Sequence, residues 1–169
     1  MTKFLDLCNS YKISRETYFK YRDRSFLFAR ELIRRYADYL GIPEEQLRLV
    51  PLNEEPNPNK TYSLFDAIHL NDDSFWHLGL QITIFTAPNQ YPRQTLLITF
   101  LFKETDSGFR ILISEDDPGH IINTGNESEF LAFFDFLQDT IQQNFETGLQ
   151  RFLDTSAPLR TIGFIQNDT

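Results

Sequence analysis

Apolar positions recur every three or four residues over two long stretches of this 169-residue chain, and every second residue over the stretch between them. Between 14 and 40, Phe19, Phe26, Ala29, Ile33, Tyr36 and Leu40 fall on one stripe at the helical period. Ser14 can cap the start of that helix. Gly41, followed by Ile42 and Pro43, supplies a stop, because Gly adopts the left-handed C′ conformation and Pro cannot continue a helix. Between 127 and 154, Phe130, Phe134, Leu137, Ile141, Phe145, Gly148 and Phe152 form a second seam, which Leu131 and Phe133 broaden. Asn126 and Glu129 have the spacing of a capping box ahead of it. Gly148 weakens this helix and can mark a kink or a close crossing.

In the middle of the chain the period drops to two. Leu78, Leu80, Ile82 and Ile84 alternate with Gly79, Gln81, Thr83 and Phe85. Leu96 to Lys103 and Phe109 to Ser114 repeat the pattern, predicting three strands. Thr105-Asp106-Ser107-Gly108 suits a three-residue hairpin loop, so the last two strands should pair antiparallel. Ala87 to Arg93 carries two prolines and reads as a longer, mobile hairpin loop. Weaker strand signals cover Leu47 to Leu52, Ser63 to Leu70 and Thr161 to Ile165, and Asn53 to Lys60 reads as a surface loop. The expected fold is α+β: a mainly antiparallel sheet of about four to six strands packed with two long amphipathic helices, at approximately 14–40 and 127–154. The length suits one domain over 1–169, with 1–12 as a flexible N-terminal segment.

Only one helix is needed to cover one face of such a sheet. If the helices cover Leu80, Ile82, Ile98, Phe100 and Ile111, then Phe85, Leu97, Leu101 and Leu112 share the opposite face, a patch that monomers seldom leave wet. With two helices available, one on each face is the favoured arrangement; a second copy or another protein is the alternative cover.

Composition places limits on function. A hydrophobic share of 41% with 17 Phe is too apolar for a disordered chain, even at net charge −8. Lys12, Arg15, Lys20, Arg22, Arg24, Arg30, Arg34 and Arg35 face only Glu16, Asp23 and Glu31, so residues 12–35 carry +5 and the remainder −13. That remainder repels phosphate backbones and argues against nucleic-acid binding. The basic helix is expected to lie beside acidic parts of its own fold, or to present a solvated polar face. Cys8 is the only cysteine, no apolar run approaches the roughly 20 residues of a membrane span, and the start lacks a secretory apolar core, so a cytoplasmic location is expected.

Chemical motifs are sparse. Glu115-Asp116-Asp117-Pro118-Gly119-His120 follows the third strand. There Asp116, Asp117 and His120 are the best candidates for a divalent metal, although Asp and Gly after a strand are ordinary turn residues. A PD-(D/E)xK nuclease core would need an acid followed by an acid-x-Lys pair; Asp66 could serve as the first, but Lys103-Glu104 is in the wrong order. His69 and His77 near Asp72 and Asp73 would need a hydrogen-bonded pair inside a cleft to act as acid or base. No nucleophile elbow, Walker loop or dinucleotide fingerprint is present, and no cofactor is expected. The resulting expectation is an acidic protein-interaction module without catalysis, an adaptor, assembly factor or inhibitor. It would bind another protein or itself through Trp76, Phe85, Tyr91, Arg93, Leu97, Leu101 and Leu112. The alternative is a small-ligand-binding or metal-dependent enzyme, with a pocket between sheet and helix near Asp116, Asp117 and His120.

Overall fold

The computed structural model describes residues 2–87, 90–155, 160–161 and 164–168. Helix α1 spans Lys3–Leu40 and is capped by Thr2, whose Oγ1 accepts from the Leu5 amide at 3.2 Å. Ser14 is therefore interior to the helix, and the N-terminal segment expected to be flexible is helical from its third residue. Nothing between Thr2 and Gly41 breaks it, since this span contains no proline or glycine. Gly41 ends it with φ +68°, its amide donating back to the Ala37 and Asp38 carbonyls.

β1 is Leu47–Val50. The stretch around Ser63 is not a strand: Ser63 and Asp66 form a reciprocal capping box for a one-turn helix α2 at Leu64–Ala67, ahead of a short β2 at His69–Leu70. β3 is Trp76–Ala87, β4 Gln90–Thr105, β5 Gly108–Leu112 and β6 His120–Ile122. Helix α3 occupies Glu127–Thr155 and passes Gly148 without a break; β7 (Arg160–Thr161) and β8 (Phe164–Asp168) follow. The β3–β4 hairpin is tighter than its prolines suggested, because Ala87 already pairs with Gln90 across Pro88 and Asn89, which lie outside the described residues. The β4–β5 loop has two residues rather than three, with Thr105 opposite Gly108 at φ +128°.

All pairing is antiparallel, in the order β1-β3-β4-β5-β6. β2 shares the β1 edge of β3, and β8 pairs with Gln94–Ile98 of β4 while β5 pairs with its other half. β6 was not foreseen, because its three residues follow a Pro-Gly turn and are too few to show a period.

Both long helices lie on the same face of the sheet, so the arrangement with one helix per face is not the one adopted. Phe28 of α1 stacks on Phe109 at 4.1 Å and reaches Phe102, while Tyr36 meets Phe100 edge-on. Phe133 of α3 packs against the same Phe100, and the helices touch each other through Phe28–Phe130 and Tyr36–Phe134. Phe100, Phe102 and Phe109 share one side of the pleat by register. These aromatic contacts each contribute about 0.5–1.5 kcal/mol beyond simple burial. In α1 the buried line is Ser25, Phe28, Ala29, Leu32, Tyr36 and Ala37, so the helix is rotated slightly from the expected stripe, whose Phe19, Phe26, Ile33 and Leu40 are half-buried. In α3, Phe130, Phe133, Phe134, Leu137 and Ile141 are buried as the seam requires, while Leu131 and Phe145 are more exposed. The Phe152 side chain falls outside the described ones.

Of the basic side chains of α1, Arg24 reaches an acidic group elsewhere in the fold, while Lys12, Arg15, Lys20, Arg30 and Arg34 are exposed. Arg24 holds Glu104 at 2.8 Å, which raises the guanidinium pKa, and Tyr39 donates to Asp135 at 2.7 Å.

Candidate functional site

Only the second half of α1 packs on the body. The sheet stops at the β4–β5 hairpin, where Arg24 meets Glu104, and every residue from Lys3 to Tyr18 is exposed. At 1.5 Å per residue this projecting half is about 24 Å long. It nevertheless carries the body's stripe onward. Phe4, Leu7, Tyr11, Ser14 and Tyr18 continue, at intervals of three and four, to Tyr21, Ser25, Phe28 and Leu32. Phe4 is 71% exposed, Leu7 69%, Tyr11 63% and Tyr18 44%. Arg15 lies along this surface, its guanidinium over the Tyr11 and Phe19 rings at 5.8 and 5.1 Å. Lys3, Lys12 and Arg15 are balanced in part by Asp6 and Glu16, so this half is far from the strongly charged state of the remaining chain. The spacing runs unbroken across Ser14, whose cap-forming side chain hides this surface in the sequence.

The residues expected to bind a partner through the sheet are divided by the structure. Trp76 is on the helix-covered face and only 3% exposed, held between Tyr21 and Phe26 of α1. Phe85, Arg93, Leu97, Leu101 and Leu112 do share the opposite face, with Phe85 paired to Arg93 and Leu101 to Leu112. On that face Leu101 and Leu112 are buried; the chain between β5 and β6 folds back here, bringing Gly119 against the Leu112 side chain while Arg110 donates to the Pro118 carbonyl at 3.1 Å. Phe85 and Leu97 are half-buried and Arg93 is exposed; the Tyr91 side chain is outside the described ones. The patch is thus much smaller than the alternation implied.

The acidic turn spends its carboxylate on its own backbone. Asp117 accepts from the Ile113 amide at 3.0 Å and the Gly119 amide at 2.9 Å, and is buried. Asp116 is exposed, and His120 lies under α3 against Phe133 and Phe136 at 5.3 and 4.6 Å. Among the described residues no group of three or more His, Cys, Asp or Glu side chains converges on a metal position.

A histidine–carboxylate pair does form at the β2–β3 turn. His77 Nε2 and Asp73 Oδ2 are 2.8 Å apart, and His77 Nδ1 faces the Asn71 amide nitrogen at 3.3 Å. Burial alone would raise the Asp73 pKa, but hydrogen bonds from the Phe75 amide and His77 outweigh it and hold the carboxyl below its ordinary range. Both ring nitrogens of His77 are occupied and Asp73 is exposed, and the pair orders the turn. Asp66 belongs to its capping box, and Lys103 donates to Ser74.

Comparison with protein-family models, with curated proteins and with solved structures finds no match. Among the described residues no helix is long and apolar enough to cross a membrane.

Proposed function

We propose that the chain is a protein-interaction module that docks through the projecting first half of α1, and that the occupant of this surface is a second copy of the chain. The observation that carries the reading is the exposed line Phe4, Leu7, Tyr11 and Tyr18, in register with a line that is fully buried farther along the same helix. Apolar positions alternating by three and four form the seam of a helix pair, so the stripe fits a helical partner. A second copy offers that helix with an identical stripe, and a two-fold pairing uses the same patch on both chains.

Charge favours this occupant. The projecting half mixes Lys3, Lys12 and Arg15 with Asp6 and Glu16, so two copies meet without stacking a strongly charged surface on itself. In an antiparallel pairing Phe4 faces Tyr21, Leu7 faces Tyr18 and Tyr11 faces Ser14, which covers the full exposed length. The sheet face around Phe85 and Leu97 is the lesser candidate, being already half-buried. A metal-dependent reading at Asp116, Asp117 and His120 has less support still, since Asp117 is committed to two amides.

Sedimentation velocity or light scattering from low to high micromolar concentration tests the proposal. The expected result is a concentration-dependent dimer that Leu7→Glu with Tyr11→Glu abolishes, while the circular dichroism of the monomer is unchanged. A chain that stays monomeric throughout overturns the second copy as occupant. A dimer indifferent to the double substitution overturns α1 as the docking element.

A further inference from the structure

At the opposite end of the molecule from the projecting helix, α1, α3 and the sheet diverge around a cavity of about 680 Å³. Its walls are Leu40 and Ile42 at the exit of α1, Ile84 of β3, and Ile141 and Phe145 of α3. Polar groups are few and neutral: the amides of Gln46, Gln138 and Gln142 are among them, and no described residue lining it is charged. The volume and the apolar lining with a few polar groups are those of sites that enclose a small molecule.

A second observation points to a ligand. Tyr36 lies in the cavity wall, is fully buried between Phe100 and Phe134, and its hydroxyl has no hydrogen-bond partner. Buried polar groups are normally paired, and this lone hydroxyl, closed off by the wall itself, meets an occupant's oxygen once the wall opens slightly around it. Burial, with Tyr39 second, pushes the phenol pKa up, so Tyr36 keeps its proton and acts as a donor. Phe145 at the wall is still 41% exposed, an apolar ring left partly wet without an occupant.

We propose that this cavity binds an uncharged, elongated small molecule with an apolar body and a carbonyl or hydroxyl oxygen that accepts from Tyr36. Charge is disfavoured on physical grounds: an ion entering here sheds its hydration and finds no counter-ion among the described residues of the wall. The site is independent of association through α1, from which it is separated by the length of the sheet.

The test uses 1-decanol and methyl decanoate as neutral probes, with decanoate and decyltrimethylammonium as charged controls, read by calorimetry and thermal shift on the full chain. Both neutral probes should bind saturably at one site, and the charged ones at least roughly tenfold more weakly. Tyr36→Phe should weaken decanol roughly tenfold, since a hydrogen bond is lost. Gln142→Trp at the rim and Ile84→Trp in the wall should each fill the space and abolish binding; the rim variant retains the core if the wall variant does not fold. Leu7→Glu with Tyr11→Glu should leave binding unchanged. Absence of saturable binding by either neutral probe, equal binding of the charged probes, or binding that survives Gln142→Trp overturns the site. Unchanged decanol affinity in Tyr36→Phe overturns the phenol as its anchor.

Discussion

Phe4, Leu7, Tyr11 and Tyr18 in the first half of α1 lie on the same stripe as Ser25, Phe28, Leu32 and Tyr36 in the second, yet the first four are 44–71% exposed and the second four are fully buried. Both halves were written with the same period. What separates them is the reach of the other elements: β4 and β5 turn back at Thr105–Gly108, and α3 packs its Phe130 on α1 at Phe28. Periodicity states which residues seek cover, and tertiary structure decides which of them receive it within one chain. The half left over is the feature to be explained, because apolar side chains at that exposure cost nothing to remove unless something else buries them.

The largest effect that sharpens this contrast is in the covered half. Phe28→Ala removes a ring that touches Phe102, Phe109 and Phe130 at once, and should cost about 3–5 kcal/mol in urea unfolding. Leu7→Ala, measured below the concentration at which copies associate, should stay within about 0.5 kcal/mol. Comparable losses from both would mean that the first half packs on the body after all, and the projecting helix would no longer be a free surface.

The α+β class, the antiparallel hairpins and the extent of α3 were legible because their periods are long and uninterrupted. Asn126 caps α3 as expected, accepting from the Glu129 amide at 3.3 Å, but the Glu129 carboxylate reaches Asn123 instead of completing the box. Three features were hidden for physical reasons. Ser14 is a good cap residue in isolation, and Thr2 outdoes it because the residues between them form helix without interruption. Placement of both helices on one face depends on contacts such as Phe100 with Tyr36 and Phe133, which no local pattern encodes. Tyr36 lies on the predicted apolar stripe and its ring is core, whereas the lone hydroxyl is visible only once its neighbours are placed.

A smaller effect separates the halves by pH. His69 in β2 belongs to the body, half-buried beside His77. Burial first and His77 second hold its pKa below 6.5, against the opposing pull of the Ala67 carbonyl and Glu54. The unfolded chain therefore takes up this proton before the folded one, so stability is intact above 6.5 and declines as pH falls from there through the lowered folded value. Asp73 contributes in a separate window, losing its stabilising effect only as pH falls below the ordinary carboxylate range of 3.8. His69→Gln should flatten the upper window in a pH series of urea midpoints. Persistence of the slope in His69→Gln would assign it to another group.

The smallest expected effect is at the far end of α1. An isolated helix of this length is marginal in water, because nucleation fixes several residues for one hydrogen bond. Here the buried half supplies the nucleus, and the projecting half only propagates it toward Thr2. Removing the cap with Thr2→Ala frees the Leu5 amide and costs about 1 kcal/mol of helix stability, but the loss should be spent locally as fraying of the first turns. Amide exchange should quicken at residues 3–10 with no shift in the global unfolding midpoint. A lowered midpoint would couple the two halves and break the comparison, since an end that merely extends a helix nucleated elsewhere cannot carry the stability of the body.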